Sequence, residues 1–441
     1  MTYYRGLALN LQNASIEELR QLEAELSRAH HAFCQQDIAL DLTRGKPSSD
    51  QLTLADQLDG ILEGGYIAPD GTDTRNYGGL EGLKDMRKLG ADLLGVKPSE
   101  ILAQGNSSLT LMFYAVLIAK EFGLGQKNAA TATETAWKNT SEKIKFICPV
   151  PGYDRHFSVC EQFGIEMVSV PMTPTGPDMD IVEGLIKTDS SIKGMWCVPK
   201  YSNPTGTVYS DETVERIAKL GLTASSNFCV FWDNAYAVHD LHGYKAIANI
   251  MDLCRQHGTE DSVMQFASTS KISHAGSGVA FIASSEGNLK HFLDVLGILS
   301  IGPDKVNQLR HLRLFPSYDA LVQHMDKHAA LLRPRFECVL KHLDANFADS
   351  DLGEWDSAEG GYFISFNTQP LLAKAVVQLA GEAGVKLTPA GATFPYGNDP
   401  EDNNIRIAPS MPTLDDIEQA MQIFVNCVKL ASVKKALVAI E

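Results

Sequence analysis

Between about residue 100 and residue 285, short apolar runs alternate with stretches of helical periodicity, and no other feature restricts the fold as much. Runs at 101–104, 144–148, 166–170, 194–198, 228–233, 264–267 and 278–283 have strand length and little polar alternation. Helical spacing fills 110–121, 211–220 and 289–299. Parallel strands need a crossover long enough to hold a helix, so this alternation is the mark of a parallel sheet. Strands that are apolar on both sides are covered on both faces. The expectation is an α/β fold with a mostly parallel central sheet covered by helices.

The two ends of the chain read differently. A first helix is expected to start at Ser15, with Glu18 closing a capping box. Ile16, Leu19, Leu22, Leu26, Ala29 and Phe33 then form an apolar stripe. The glycine- and proline-bearing loop Leu42-Thr-Arg-Gly-Lys-Pro follows. After Pro316 the pattern predicts a long helix through His342, a strand at 362–366, a further helix, a short extended segment at 405–408 and a final helix. These make a smaller α+β domain. The expected division is 1–50, an N-terminal segment packing with the small domain; 51–320, the large domain; and 321–441, the small one. With 441 residues and 44% hydrophobic content, the chain can bury one large core and a smaller one.

The formal charge of −16 argues against nucleic-acid or anionic-membrane partners, while leaving room for a local basic pocket. No apolar stretch approaches bilayer-spanning length. The start, Met1-Thr-Tyr-Tyr-Arg-Gly, lacks the apolar core of an export signal. The eight cysteines are scattered: Cys148, Cys197 and Cys229 on strands, Cys338 and Cys427 on helices, with no CxxC pair. A reduced, cytoplasmic setting and no metal site are expected. His30-His31 reads as structural or solvated.

The chemistry-bearing residues fall just beyond the strands, where ligands bind in such sheets. Lys271 follows Ser268-Thr-Ser270, and Asp233 ends an earlier apolar run. A lysine among hydroxyl residues, with a buried carboxylate nearby, suits pyridoxal 5'-phosphate. The amine would form an imine with its aldehyde, the carboxylate would keep the pyridine nitrogen protonated, and Ser268 and Ser270 would reach the phosphate. Lys271 would also serve as general base once substrate amine displaces it. Gly105-Asn106-Ser107-Ser108 opens a helix and could meet a phosphate, or be an ordinary helix start. Tyr153 could cover a ring face and His156 could support Asp233; the other reading is a loop aromatic buried for packing. Asn203, oriented by Pro-Thr-Gly206, and Tyr236 could reach the phenolic oxygen. Tyr77 is a candidate phosphate ligand from an adjoining subunit. Arg406 lies within an apolar extended run and suits a substrate α-carboxylate, or else a structural salt bridge with Asp402 or another acid.

In Asn203-Pro-Thr-Gly, Asp233-x-Ala-Tyr236, Ser268-x-Ser270-Lys271 and Ile405-Arg406, taken in that order, the chain resembles fold type I pyridoxal-phosphate enzymes of the class I/II aminotransferase superfamily. The resemblance covers nearly the whole chain. It implies Lys271 as the imine lysine, Asp233 as the pyridine partner, Asn203 and Tyr236 near the ring oxygen, Tyr153 as the stacking aromatic with His156 behind it, and Arg406 as the carboxylate clamp. Gly45 matches the amino-terminal substrate loop. Such enzymes commonly carry a phosphate-gripping arginine beyond the lysine; here Ser277 occupies its approximate place. That departure, with Leu387-Thr-Pro-Ala-Gly and Ile301-Gly-Pro-Asp, is similar to a MocR-like or alanine–glyoxylate-type subgroup that includes bacterial aspartate aminotransferases. The resemblance implies a homodimer acting on amino acids and 2-oxo acids, with L-aspartate and 2-oxoglutarate as the first expectation. Alanine, aromatic or aminoadipate-type transamination, a β-lyase, and a non-enzymatic regulatory homologue remain alternatives. A second carboxylate on the substrate needs another cation, and Arg44, Lys46, Arg75, Lys305 and Arg313 are the candidates, between which chain order does not choose and some of which could serve a partner subunit's site.

Overall fold

Ser15 caps the first helix, Ile16–Cys34: its hydroxyl accepts from the Glu18 amide while the Glu18 carboxylate accepts from the Ser15 amide, as the capping box requires. Leu19 is fully buried, and Leu22, Leu26 and Phe33 pack against the same core. His30 lies 2.9 Å from the Leu379 carbonyl, whereas His31 is exposed. This is a computed structural model that describes residues 11, 14–125 and 136–440. The opening residues, where no export signal was expected, lie outside the described residues.

The strands follow as β1 (Leu40–Asp41), β2 (Ile101–Gln104), β3 (Lys145–Val150), β4 (Glu166–Thr173), β5 (Gly176–Pro177), β6 (Ile192–Cys197), β7 (Cys229–Asp233), β8 (Val263–Ser268) and β9 (Ala280–Ala283). Strands β2 to β9 form one eight-stranded sheet in the order β2-β9-β8-β7-β6-β3-β4-β5. The pairings β4-β3, β3-β6, β6-β7 and β7-β8 are parallel. Strand β9 runs against both β8 and β2. The reason is local: the segment between Ser268 and Ala280 is too short for a crossover helix, so the chain must turn straight back. Strands β2, β3, β6, β7 and β8 therefore all end on one rim, and that rim carries the loops of Asn106, Tyr153, Asn203, Tyr236 and Lys271.

Helices cover both faces, including Ser108–Glu121, Asp154–Gln162, Asp211–Lys219 and Glu286–Leu299. The sequence pattern did not anticipate Asp154–Gln162, Met179–Thr188 or Ile250–His257. They are segments of about two to three turns that need tertiary burial to hold. At the sheet centre, Gly194 on β6 faces the Phe146 ring so closely that a Cβ would overlap it. Gly194→Ala is expected to lower the unfolding free energy by about 1–3 kcal/mol. A reduced midpoint in denaturant would register it; an unchanged midpoint would show that the ring can yield.

Beyond the large sheet come β10 (Gly353–Trp355), β11 (Ile364–Thr368), β12 (Val385–Lys386) and β13 (Asn404–Ile407). Strands β10, β11 and β13 form an antiparallel sheet, and β1 pairs in parallel with β12. The helix expected to end at His342 spans Tyr318–Phe347, because Leu343 and Phe347 extend its buried face. The strand expected at 362–366 begins at Ile364. Tyr362 instead turns its hydroxyl to the Gln51 side chain. The first helix packs on the last, Leu414–Ile440, over a core containing Phe336, Val339, Phe366 and Phe424. All eight cysteines are free thiols. Among the described residues, no helix is long and apolar enough to cross a membrane.

Candidate active site

Asp233 closes the fully buried strand β7 and is itself 2% exposed. One oxygen, Oδ2, lies 3.0 Å from His156 Nε2; the other, Oδ1, is buried with no hydrogen-bond partner. A buried carboxylate oxygen left unpaired costs about 1–3 kcal/mol or more. Such an atom marks a place built for a ligand donor, and a protonated ring nitrogen fits it. His156 is held in turn by stacking on Trp196 at 4.3 Å and by the edge of Tyr153 at 4.9 Å. The helix Asp154–Gln162 thus brings one face of the site to Asp233.

Lys271 leaves the end of β8 with its Nζ 5.1 Å from the Tyr236 ring centroid and 6.0 Å from that of Tyr362. Burial pulls its amine below the ordinary lysine value, and the charge of Asp233 partly opposes this. The loop around it is fixed from several sides. Thr269 Oγ1 accepts from the Val279 amide, Ser273 donates to the Thr269 carbonyl, and Tyr362 donates to the Lys271 carbonyl. His324 Nε2 stands 2.8 Å from the Ile272 carbonyl. Burial also pushes the Tyr236 and Tyr153 hydroxyls up, so both remain neutral donors.

Ser268 donates to Ser270, Ser270 donates to the Asn106 carbonyl at 2.9 Å, and Asn106 donates to the Gly276 carbonyl. Gly105, at φ 47°, makes the turn out of β2 that brings Asn106 there. Ser107 takes the N-cap position of Ser108–Glu121 without a side-chain cap bond, which leaves its hydroxyl available beside that helix start. These hydroxyls and amides suit a phosphate without an arginine. Ser277 is exposed in a turn, its carbonyl held by Asn307, and it does not join the serine cluster. Tyr77 is 83% exposed on a loop whose Asn76 carbonyl accepts from Lys305 at 2.8 Å.

Arg406 on β13 is buried, its guanidinium 4.9 Å from the Phe363 ring centroid. The Phe363 ring abuts Gly45 so tightly that only a glycine fits there without moving it. Arg406 Nη1 donates to Asp154 Oδ1 at 2.9 Å and to Asn203 Oδ1 at 3.2 Å, and Nε donates to Thr388 at 3.4 Å. Its ion-pair partner is thus Asp154, which sequence reasoning missed. Asp402 instead accepts from the Lys374 amide.

One cavity of about 680 Å³ is lined by Lys271, Asp233, Tyr236, Asn203, Tyr153, Arg406 and Gly45. Of the five cations considered for a second carboxylate, Arg44 and Lys46 line it. Arg75 is exposed and paired with Asp73 at 2.7 Å, Lys305 serves the Tyr77 loop, and Arg313 is exposed outside the lining. Arg155 and Lys386 line the cavity and were not anticipated, although one directly follows Tyr153-Asp154 and the other directly precedes Leu387-Thr-Pro. Among the described residues, one group of metal-type donors assembles elsewhere: the Cys338 thiol donates to Glu418, whose other oxygen lies 3.0 Å from His342.

The aspartate amino-transferase family pattern matches residues 14–439. An aspartate aminotransferase of Corynebacterium glutamicum is 44% identical over 427 residues, covering 96% of this chain and 97% of that protein. The crystal structure of an aspartate transaminase from C. glutamicum superimposes with a TM-score of 0.92 at 42% identity, covering 98% of this chain and 100% of the other. An α-aminoadipate aminotransferase of Thermus thermophilus, solved with N-(5'-phosphopyridoxyl)-L-leucine, shares the fold at a TM-score of 0.71 and 19% identity over 97% of this chain and 96% of its own.

Proposed function

We propose, from the premise that this chain belongs to the aspartate aminotransferase family, that it moves the amino group of L-aspartate to 2-oxoglutarate. Its activity is that of a pyridoxal-phosphate-dependent aminotransferase. The choice of a dicarboxylate substrate rests on one observation. In a chain of net charge −16, the cavity around Lys271 gathers Arg44, Lys46, Arg155 and Lys386 in addition to Arg406. None of the four lies within 4 Å of an acid among the described residues, although Asp41 shares the lining and the charges of Lys386 and Lys46 act on it. A monocarboxylate would not need such an excess of cations, whereas a substrate with two carboxylates and a second oxo acid of the same type would.

When bound, pyridoxal 5'-phosphate supplies an aldehyde for covalent capture of amines and a cationic ring that withdraws electrons from the substrate α-carbon. Asp233 Oδ1 would accept from the ring nitrogen, with His156 fixing the other oxygen. Asn203 and Tyr236 would face the ring oxygen and Tyr153 the ring. Asn106, Ser107, Ser108, Ser268 and Ser270 would hold the phosphate, with Tyr77 contributed by a second copy. Arg406 would orient the α-carboxylate. Lys271 Nζ, whose amine burial holds below the ordinary lysine value, would take the proton from the substrate α-carbon and hold it for return across the intervening nitrogen. A homodimer fits the exposure of Tyr77 together with the nearby apolar Ile298, Leu299 and Ile301. Eight free thiols fit a reducing, cytoplasmic setting.

Incubation of the holoenzyme with L-aspartate and 2-oxoglutarate is expected to yield oxaloacetate and glutamate. Absence of both products would reject the substrate assignment. Formation of pyruvate and ammonia from an amino acid without any acceptor would replace it with a β-lyase.

A further inference from the structure

Arg406 is only 6% exposed, and a buried guanidinium needs a counter-charge whenever no substrate is present. Asp154 supplies it at 2.9 Å. The two residues come from different sheets: Arg406 from β13 of the small antiparallel sheet, Asp154 from the helix that follows β3 of the large one. An arginine grips a carboxylate best through two parallel N–H bonds from adjacent nitrogens. Nη1 is already engaged by Asp154 and Asn203, and Nε by Thr388, so the Nη1–Nη2 edge is half taken.

We propose that Asp154 is the resting counter-ion of Arg406, and that substrate enters by exchanging its own carboxylate for that of Asp154. The proposal rests on Arg406 being the α-carboxylate clamp. Three observations make the exchange feasible. The Asp154 side chain is 33% exposed and lines the cavity, so water can reach it as it lets go. It sits in the first turn of Asp154–Gln162, where the helix amides favour a negative charge even without the arginine. Asn203 and Thr388 keep their own bonds to the guanidinium and hold it in place during the exchange. Asp154 is thus a competitor built into the site, and it weakens the capture of every carboxylate substrate by the affinity it keeps for Arg406. In return, the arginine is never left buried and unpaired between turnovers.

The test is calorimetric titration of the holoenzyme with succinate, a dicarboxylate with no amino group to transfer. Asp154→Asn and Asp154→Ser, two uncharged variants, are expected to bind succinate roughly tenfold tighter, a difference of about 1.4 kcal/mol. Asp154→Glu, which restores the charge, is expected to return the affinity toward that of the unaltered protein. Succinate affinity that is unchanged or weaker in the uncharged variants would overturn the proposal and leave Asp154 as a strut for Arg406. Arg406→Ala separates the two ideas. If it abolishes succinate binding while the Asp154 variants do not tighten it, the exchange fails and the clamp stands. If it leaves succinate binding intact, the clamp itself fails and the exchange falls with it.

Discussion

Lys271→Ala is expected to lose the lysine-linked cofactor chromophore and to slow multiple-turnover transamination by at least about 10⁴-fold, the upper range for a single positioned proton-transfer group. The expectation follows from where the amine lies. It stands 5.1 Å from the Tyr236 ring centroid in the cavity that Asp233 and Arg406 also line, and burial holds it below the usual lysine value. No other described lysine has that combination: Lys46 and Lys386 reach the cavity but are exposed. The loop carrying Lys271 is fixed by Thr269, Ser273, Tyr362 and His324 through backbone contacts that alanine would keep. The variant is therefore expected to fold with an unaltered circular-dichroism spectrum. Retention of both chromophore and turnover would reject the assignment of the lysine.

Asp233→Asn is expected to reduce kcat by about 10²–10³-fold, the scale found when one preorganised electrostatic partner is removed. Asparagine preserves volume and can still meet His156, so the loss would come from the missing charge rather than from a cavity. Cofactor should also dissociate more readily, which equilibrium dialysis would measure independently of turnover. The effect belongs in kcat for every amino acid, because Asp233 would meet the ring nitrogen rather than the substrate, and it is braced by His156, which itself stacks on Trp196. A rate close to that of the unaltered enzyme, with normal cofactor retention, would mean that the unpaired Oδ1 has some other purpose.

Much of this molecule is legible in its sequence because parallel sheets and their rims follow local rules. Apolar runs of strand length, separated by helical spacing, located seven of the eight strands of the large sheet, all but the two-residue β5, though their ends shifted by a few residues. The direction of β9 was not legible as a pattern; it follows from the short connection after β8, which forbids a crossover. The capping box at Ser15 and Glu18 is a local device and was found where the motif predicted it. The short helices Met179–Thr188 and Ile250–His257 were not, since their stability comes from burial against the sheet.

For the site the sequence alone singled out Lys271, Asp233, Asn203, Tyr236 and Arg406 as candidates through short motifs, and all five line one cavity. Only the tertiary structure decided what those residues meet. Arg406 could have paired with Asp402, close in the chain, but pairs with Asp154, on a helix of the other sheet. Five cations could have served a second carboxylate; the fold leaves Arg75, Lys305 and Arg313 outside this chain's own cavity and brings in Arg155 and Lys386. The reason is physical. A motif fixes chemistry through neighbours a few residues apart, whereas charge pairing falls off within a few ångströms, over distances that only the packing of one sheet against another can set.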